Sequence, residues 1–162
     1  MKLLEELGIQ HIINVSHIRL DKDIVDKYNV LWINLKDNFR ENIQQHFDRT
    51  NEFLQTCKNK NEKVLIHCQS GISRSTSVIL AYLLRYHHDT LHNAYGYLLE
   101  RRCMARPNDG FLLQLIRYEK ELQIRKTVDV EQSLNKSVDT DLISSIVDEN
   151  ENGTRELVIP SV

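Results

Sequence analysis

No stretch of this 162-residue sequence is apolar for long enough to cross a bilayer, since a spanning helix needs about 20 consecutive apolar residues. The opening MKLLEELGI has no apolar signal core either, so secretion is not expected. Cysteine is scarce. Cys57, Cys68 and Cys103 are the only three, and they make no even disulfide framework. A reducing cytosolic or nuclear setting fits them and preserves a free thiolate. The Asn-x-Ser/Thr triplets at Asn14, Asn135 and Asn152 are then chance matches. Metal-ligand spacing is missing too. His87, His88 and His92 cluster, but without a Cys or acidic partner at ligand spacing. No metal and no cofactor are expected.

Strong charge of one sign is also absent, because the net charge is -2. That figure hides an asymmetry. From Thr127 onward there are eight acidic and two basic residues, a balance of -6. The first 126 residues carry 15 acidic and 19 basic residues, a balance of +4. A mildly basic domain with an acidic tail suits an anionic substrate. The bias is too weak to argue for nucleic acid. With 27% charged and 41% hydrophobic residues, the chain reads as one soluble globular domain able to bury a core.

What is present alternates strands with helices. A short helix over 2–7 is stopped by Gly8. His11-Ile12-Ile13-Asn14-Val15 and Val30-Leu31-Trp32-Ile33-Asn34-Leu35 read as strands. Residues 16–27 are polar and irregular, with room for one helical turn. Ile43, Phe47, Thr50, Leu54 and Cys57 recur at helical spacing and predict an amphipathic helix over 43–58. Residues 63–67 form a third strand. The segment 75–86, STSVILAYLLRY, is apolar nearly all round and predicts a buried helix. Helices over 90–102 and 109–125 follow. The class is α/β, a sheet packed by helices. A single folded domain is expected to span 1–126, with a disordered acidic tail over 127–162. In that tail Val130, Leu134, Val138, Leu142 and Ile146 recur every four residues. They allow either a solvated tail or an amphipathic helix that docks a partner.

The segment HCQSGISRS at 67–75 follows the third strand directly. A turn between strand and helix can point backbone N–H groups inward as an anion-binding nest, and the helix adds the positive end of its dipole. Gly71 permits a backbone conformation that other residues resist. The expected phosphate-binding set is Gln69, Ser70, Gly71, Ile72, Ser73 and Arg74. The same field lowers the pKa of a thiol, so Cys68 is the expected nucleophile. The planar fork of Arg74 can hold two phosphate oxygens. The Ser75 hydroxyl either caps the helix or hydrogen-bonds the thiolate. A phosphocysteine route needs a proton donor for the leaving oxygen and later a base for water. Asp37, at the C-terminal end of the second strand, is the first candidate, and Glu41 is the second. His67 is expected to hold the loop rather than to shuttle protons.

The motif resembles that of the dual-specificity protein phosphatases, within the cysteine-based protein tyrosine phosphatase superfamily. The resemblance extends through Leu7-Gly8-Ile9-Gln10-His11-Ile12-Ile13-Asn14-Val15, Ala81-Tyr82-Leu83-Leu84, Glu100-Arg101-Arg102, Pro107-Asn108, Gly110-Phe111, Gln114-Leu115 and Tyr118-Glu119. It covers roughly residues 3–124. It implies a central mixed sheet flanked by helices, with Asp37 as general acid and Asn108 beside His67 in support of the loop. It implies metal-free hydrolysis of phosphotyrosine and phosphoserine/threonine in phosphorylated proteins through phospho-Cys68. Loop positions Gln69, Ser70, Ile72 and Ser73 are neutral, unlike the lysines of lipid-directed relatives, so neither lipid nor nucleic acid is the expected substrate. Family domains usually begin with a further strand that this chain lacks, so an edge strand is expected to be missing. That departure keeps one alternative open, a phosphoprotein-binding scaffold with little turnover. No kinase-docking domain is expected, so no kinase substrate is inferred.

Overall fold

The computed structural model describes residues 2–137, with side chains through 132. Contacts divide the chain into one compact unit, Met1–Leu122, and a second, Gln123–Val162. The sheet and the candidate site belong to the first. Strands β1 (Ile9–Val15), β2 (Asn29–Ile33) and β3 (Lys63–His67) pair in the order β2-β1-β3. Both pairings are parallel. Among the described residues the sheet is therefore parallel throughout, where a mixed sheet was expected. The connections explain this. Helix α2 (Lys22–Lys27) lies between β1 and β2, and α3 (Phe47–Asn59) between β2 and β3. A helical crossover returns the chain in its starting direction, whereas antiparallel neighbours need only a tight turn.

Register aligns Val15 with Ile33 and Asn14 with His67. The C-terminal ends of all three strands thus finish along one edge, where ligands of open α/β sheets bind. Helix α1 (Lys2–Glu6) ends ahead of Gly8, whose φ of +68° is the left-handed conformation that terminates helices. The expected helix at 43–58 begins as a 3-10 turn, Gln44–His46, and continues as α3. Its buried residues, Phe47, Thr50, Asn51, Leu54 and Cys57, share one face. Helices α4 (Arg74–Tyr86) and α5 (Leu91–Arg101) follow β3, and the Thr90 hydroxyl caps α5 by accepting the Asn93 N–H. Helix α6 runs from Asp109 to Ser137.

Ile13, Val15, Ile33, Phe47, Leu80, Phe111 and Leu115 join in one buried cluster. Each such side chain contributes about 1.5–3 kcal/mol on burial. Tyr118 packs edge-on against Phe47 and accepts a hydrogen bond from Asn51 Nδ2 at 3.0 Å. That places the first turns of α6 over the start of α3.

Two stretches are more helical than expected. The helical turn allowed for within 16–27 is the six-residue helix α2. Helix α6 continues past its expected end at 125, so 127–137 are helical where a disordered tail was expected. Propagation adds one hydrogen bond per residue fixed, without a new nucleus, so a weak segment can extend an existing helix. Val130, first of the four-residue apolar series, is exposed. The rest of the tail, 138–162, lies outside the described residues, and with it most of that series. No described helix is long and apolar enough to cross a membrane.

Candidate active site

Strand β3 delivers Cys68 to the C-terminal edge of the sheet, and α4 begins six residues later at Arg74. Gly71 makes the turn between them with φ +67°. Its N–H donates to Cys68 Sγ at 3.2 Å, and Ser75 Oγ lies 3.3 Å from the same sulfur. Burial by itself pushes the Cys68 thiol up. The Ser75 hydroxyl, the backbone N–H groups of Ser75 and Gly71, and the charge of Arg74 together outweigh it, and the pKa falls below its ordinary value. Ser73 takes the N-cap position of α4 without capping it through its side chain. The Ser75 hydroxyl faces the sulfur, which distinguishes between its two expected roles.

Arg74 is almost wholly buried. Its Nη1 donates to the Leu35 carbonyl and its Nη2 to Gln69 Oε1, both at 3.1 Å. Its Nε lies 3.6 Å from Asp37 Oδ2, close enough for charge attraction, and has no hydrogen-bond partner among the described residues. A buried guanidinium is held in place because two acceptors fix its plane. The Nε donor on that plane is left without an acceptor among the described residues.

Asp37 follows β2 and accepts from two donors, one in the loop and one just ahead of α6. Ser73 Oγ and Asn108 Nδ2 each reach Asp37 Oδ1 at 2.8 Å. The Asn108 N–H donates in turn to Ser73 Oγ at 3.1 Å, and Asn108 Oδ1 accepts the Phe111 N–H at 3.0 Å. Asn108 thereby starts α6 and orients Asp37 at once. The Asp37 side chain keeps 30% of its surface exposed, so a ligand can approach it. His67 Nδ1 lies 3.4 Å from the Cys68 carbonyl. Ser70 is exposed and Ile72 half-buried, and the Ile72 carbonyl accepts the Arg106 N–H at 2.8 Å. Glu41, the second acid candidate, is engaged through its backbone, where Gln114 Nε2 donates to its carbonyl at 2.8 Å.

Three supporting residues were not assigned roles from the sequence. Arg102 Nε donates to the Gly71 carbonyl at 2.9 Å and braces the loop from the residue just after α5. Gln114 Oε1 accepts the N–H groups of Ile43 and Gln44, so α6 grips the chain just after Asp37. Gly110 lies against the Phe39 backbone so closely that a Cβ there would overlap the Phe39 carbonyl. The signal available was the pairing of Gly110-Phe111 with Gln114-Leu115 in the resemblance. What each residue touches was not readable.

A family model described as "Dual specificity phosphatase, catalytic domain" matches residues 1–121. Dual specificity protein phosphatase 5 of Homo sapiens is 36% identical over 121 residues, which are 75% of this chain and 31% of that protein. Tyrosine-protein phosphatase vhp-1 of Caenorhabditis elegans is 35% identical over 133 residues, 81% of this chain and 20% of that protein. The chain spans a third or less of the length of these curated relatives. Among solved structures, human DUSP28 superposes with a TM-score of 0.71 at 27% identity, covering 76% of this chain and 86% of that one. The human tyrosine phosphatase-like serine/threonine/tyrosine-interacting protein gives 0.69 at 32% identity, covering 74% and 82%.

Proposed function

The chain belongs to the dual-specificity phosphatase family, and on that premise we propose that it hydrolyses phosphotyrosine and phosphoserine/threonine in proteins through phospho-Cys68. One observation carries the reading: a thiol of lowered pKa, hydrogen-bonded by Gly71 and beside Ser75, in a loop that ends on a buried arginine whose Nε has no acceptor among the described residues.

In the first step the Cys68 thiolate attacks phosphorus as the ester oxygen leaves. The S–P bond forms, the P–O bond breaks, and the leaving oxygen takes a proton from Asp37. Charge on the phosphoryl oxygens is met by the Arg74 guanidinium and by loop N–H groups. In the second step Asp37, now ionised, takes a proton from water as water attacks phosphorus. Phosphate departs, and the thiolate returns with help from the Ser75 hydroxyl, which stabilises it as a leaving group. Ser73 and Asn108 act as positioning residues for Asp37. Gln69 and Leu35 hold Arg74 in plane. His67 supports the loop through Cys68. The neutral side chains at Gln69, Ser70, Ile72 and Ser73 favour phosphoprotein over lipid or nucleic-acid phosphate. A metal-free reaction is proposed, since nucleophile, acid and anion clamp are all side chains of the chain itself.

A scaffold role with little turnover is the competing reading. One solved relative is named as an interacting protein. The convergence of Cys68, Arg74 and Asp37 around one loop favours turnover. Steady-state hydrolysis of an aryl phosphate by the wild type, Cys68→Ser and Asp37→Asn chains tests it. Turnover is expected in the wild type, none in Cys68→Ser, and a loss of about 10²–10⁴-fold in Asp37→Asn. Equal rates in all three overturn the mechanism. Absence of turnover in the wild type, with phosphopeptide binding intact, establishes the scaffold instead.

A further inference from the structure

A second cluster of chemically capable side chains lies at the other end of the sheet from Cys68. His11 stands near the start of β1, Cys57 in the last turn of α3, and Glu62 just ahead of β3. Local structure fixes all three. Asn61, with φ +57°, turns the chain after α3, and the Glu62 N–H donates to the Cys57 carbonyl at 2.9 Å. The β1–β3 pairing sets His11 beside Val64. The imidazole Nε2, the thiol Sγ and a carboxylate oxygen consequently lie within 4.8 Å of one another. His11 Nε2 and Glu62 Oε2 are 2.8 Å apart, with the His11 side chain 12% and the Glu62 side chain 27% exposed.

We propose that His11, Cys57 and Glu62 form a structural site for a divalent cation of the zinc class, binding the end of α3 to the N-terminal end of β1 and β3. The donor set is one nitrogen, one sulfur and one oxygen. That mixture suits zinc, whereas calcium and magnesium call for oxygen donors. Metal–ligand bonds of about 2.0–2.3 Å set tetrahedral donors roughly 3.3–3.8 Å apart, so the present positions need shifts on the order of an ångström. Thiolate and carboxylate together neutralise the ion, and water completes the fourth position.

The surroundings fit. Asn29 Nδ2 lies 3.0 Å from His11 Nδ1. With that amide flipped so that its oxygen takes the place of the nitrogen, it accepts the Nδ1 proton and leaves the Nε2 lone pair for the metal, the usual arrangement behind a ligating histidine. Phe53 packs edge-on against the same ring and holds its orientation. Binding releases the Cys57 proton to solvent as the S–metal bond forms. Glu62 also lines a surface cleft with Leu54, Lys58, Lys63, Tyr82 and His87, which gives the ion a route in.

The test uses the full chain with Cys68→Ser and Cys103→Ser, which removes the other two thiols. The metal-free protein is titrated with Co2+ and then Zn2+. One equivalent of Co2+ is expected, with a thiolate-to-cobalt charge-transfer band that Zn2+ abolishes, and a higher thermal midpoint with either ion. His11→Gln and Glu62→Gln should each weaken Co2+ binding by roughly tenfold or more, and Cys57→Ser should remove the band. Should Cys57→Ser fail to fold, the other two variants still decide. No charge-transfer band in the Cys68→Ser/Cys103→Ser chain overturns the site. So does Co2+ affinity unchanged by both His11→Gln and Glu62→Gln.

Discussion

Cys68 is acidified by neighbours no more than seven residues away. A free thiol titrates near pH 8.5, and burial acts against its ionisation. Ser75, Gly71 and Arg74 reverse that balance, so the thiolate persists at lower pH than in a free cysteine. The rate of alkylation at Cys68 by iodoacetamide should rise to its plateau at a midpoint below that of a free thiol. Ser75→Ala removes a stabiliser of the charged form, so its midpoint should move up. Measured rates against pH that superpose for wild type and Ser75→Ala contradict the assignment. Cys68, Gly71, Arg74 and Ser75 were legible in the sequence because they are neighbours in it, and a turn between strand and helix leaves few places for them to go. The Ser73 contact with Asp37 was not legible. It spans 36 positions and depends on how the ends of β2 and β3 meet.

At the scale of elements, the segment after β2 carries the proposed acid, and α6 holds it. Asn108 bonds Asp37, Gly110 abuts the Phe39 backbone, and Gln114 binds the backbone of Glu41, Ile43 and Gln44. Three residues near the start of one helix thus locate a segment some seventy positions earlier. Gly110→Ala sets a methyl group against a backbone carbonyl, and overpacking of that kind costs about 1–3 kcal/mol. The expected outcome is a lower midpoint in urea and a fall in kcat, because Asp37 moves with Phe39. A Gly110→Ala chain as stable and as active as the wild type disproves the bracing role. Strand β3 and helix α4 were legible because apolar periodicity and the loop motif agree there. The 3-10 entry to α3, the extent of α2 and the length of α6 were not. Short polar helices and helix extensions rest on neighbouring structure more than on their own propensity.

For the whole molecule, the parallel sheet gathers three strand ends at one edge, and the chain through residue 126 carries a positive balance. An anionic substrate should feel that balance before contact. KM for an acidic phosphopeptide should rise as salt shortens the screening length from about 10 Å at 0.1 M to about 3 Å at 1 M, with kcat nearly unchanged. A KM indifferent to salt sets that steering aside. The α/β class was legible from alternating elements. Strand direction was not, because it depends on the crossovers rather than on any strand's own residues. The most direct test of the central claim is rapid-quench mass spectrometry of the chain during turnover of an aryl phosphate. One phosphoryl group should appear on Cys68 and accumulate in Asp37→Asn whenever a good leaving group makes hydrolysis the slow step. Turnover with no phosphoryl group on Cys68 at any time, or turnover retained by Cys68→Ser, contradicts it.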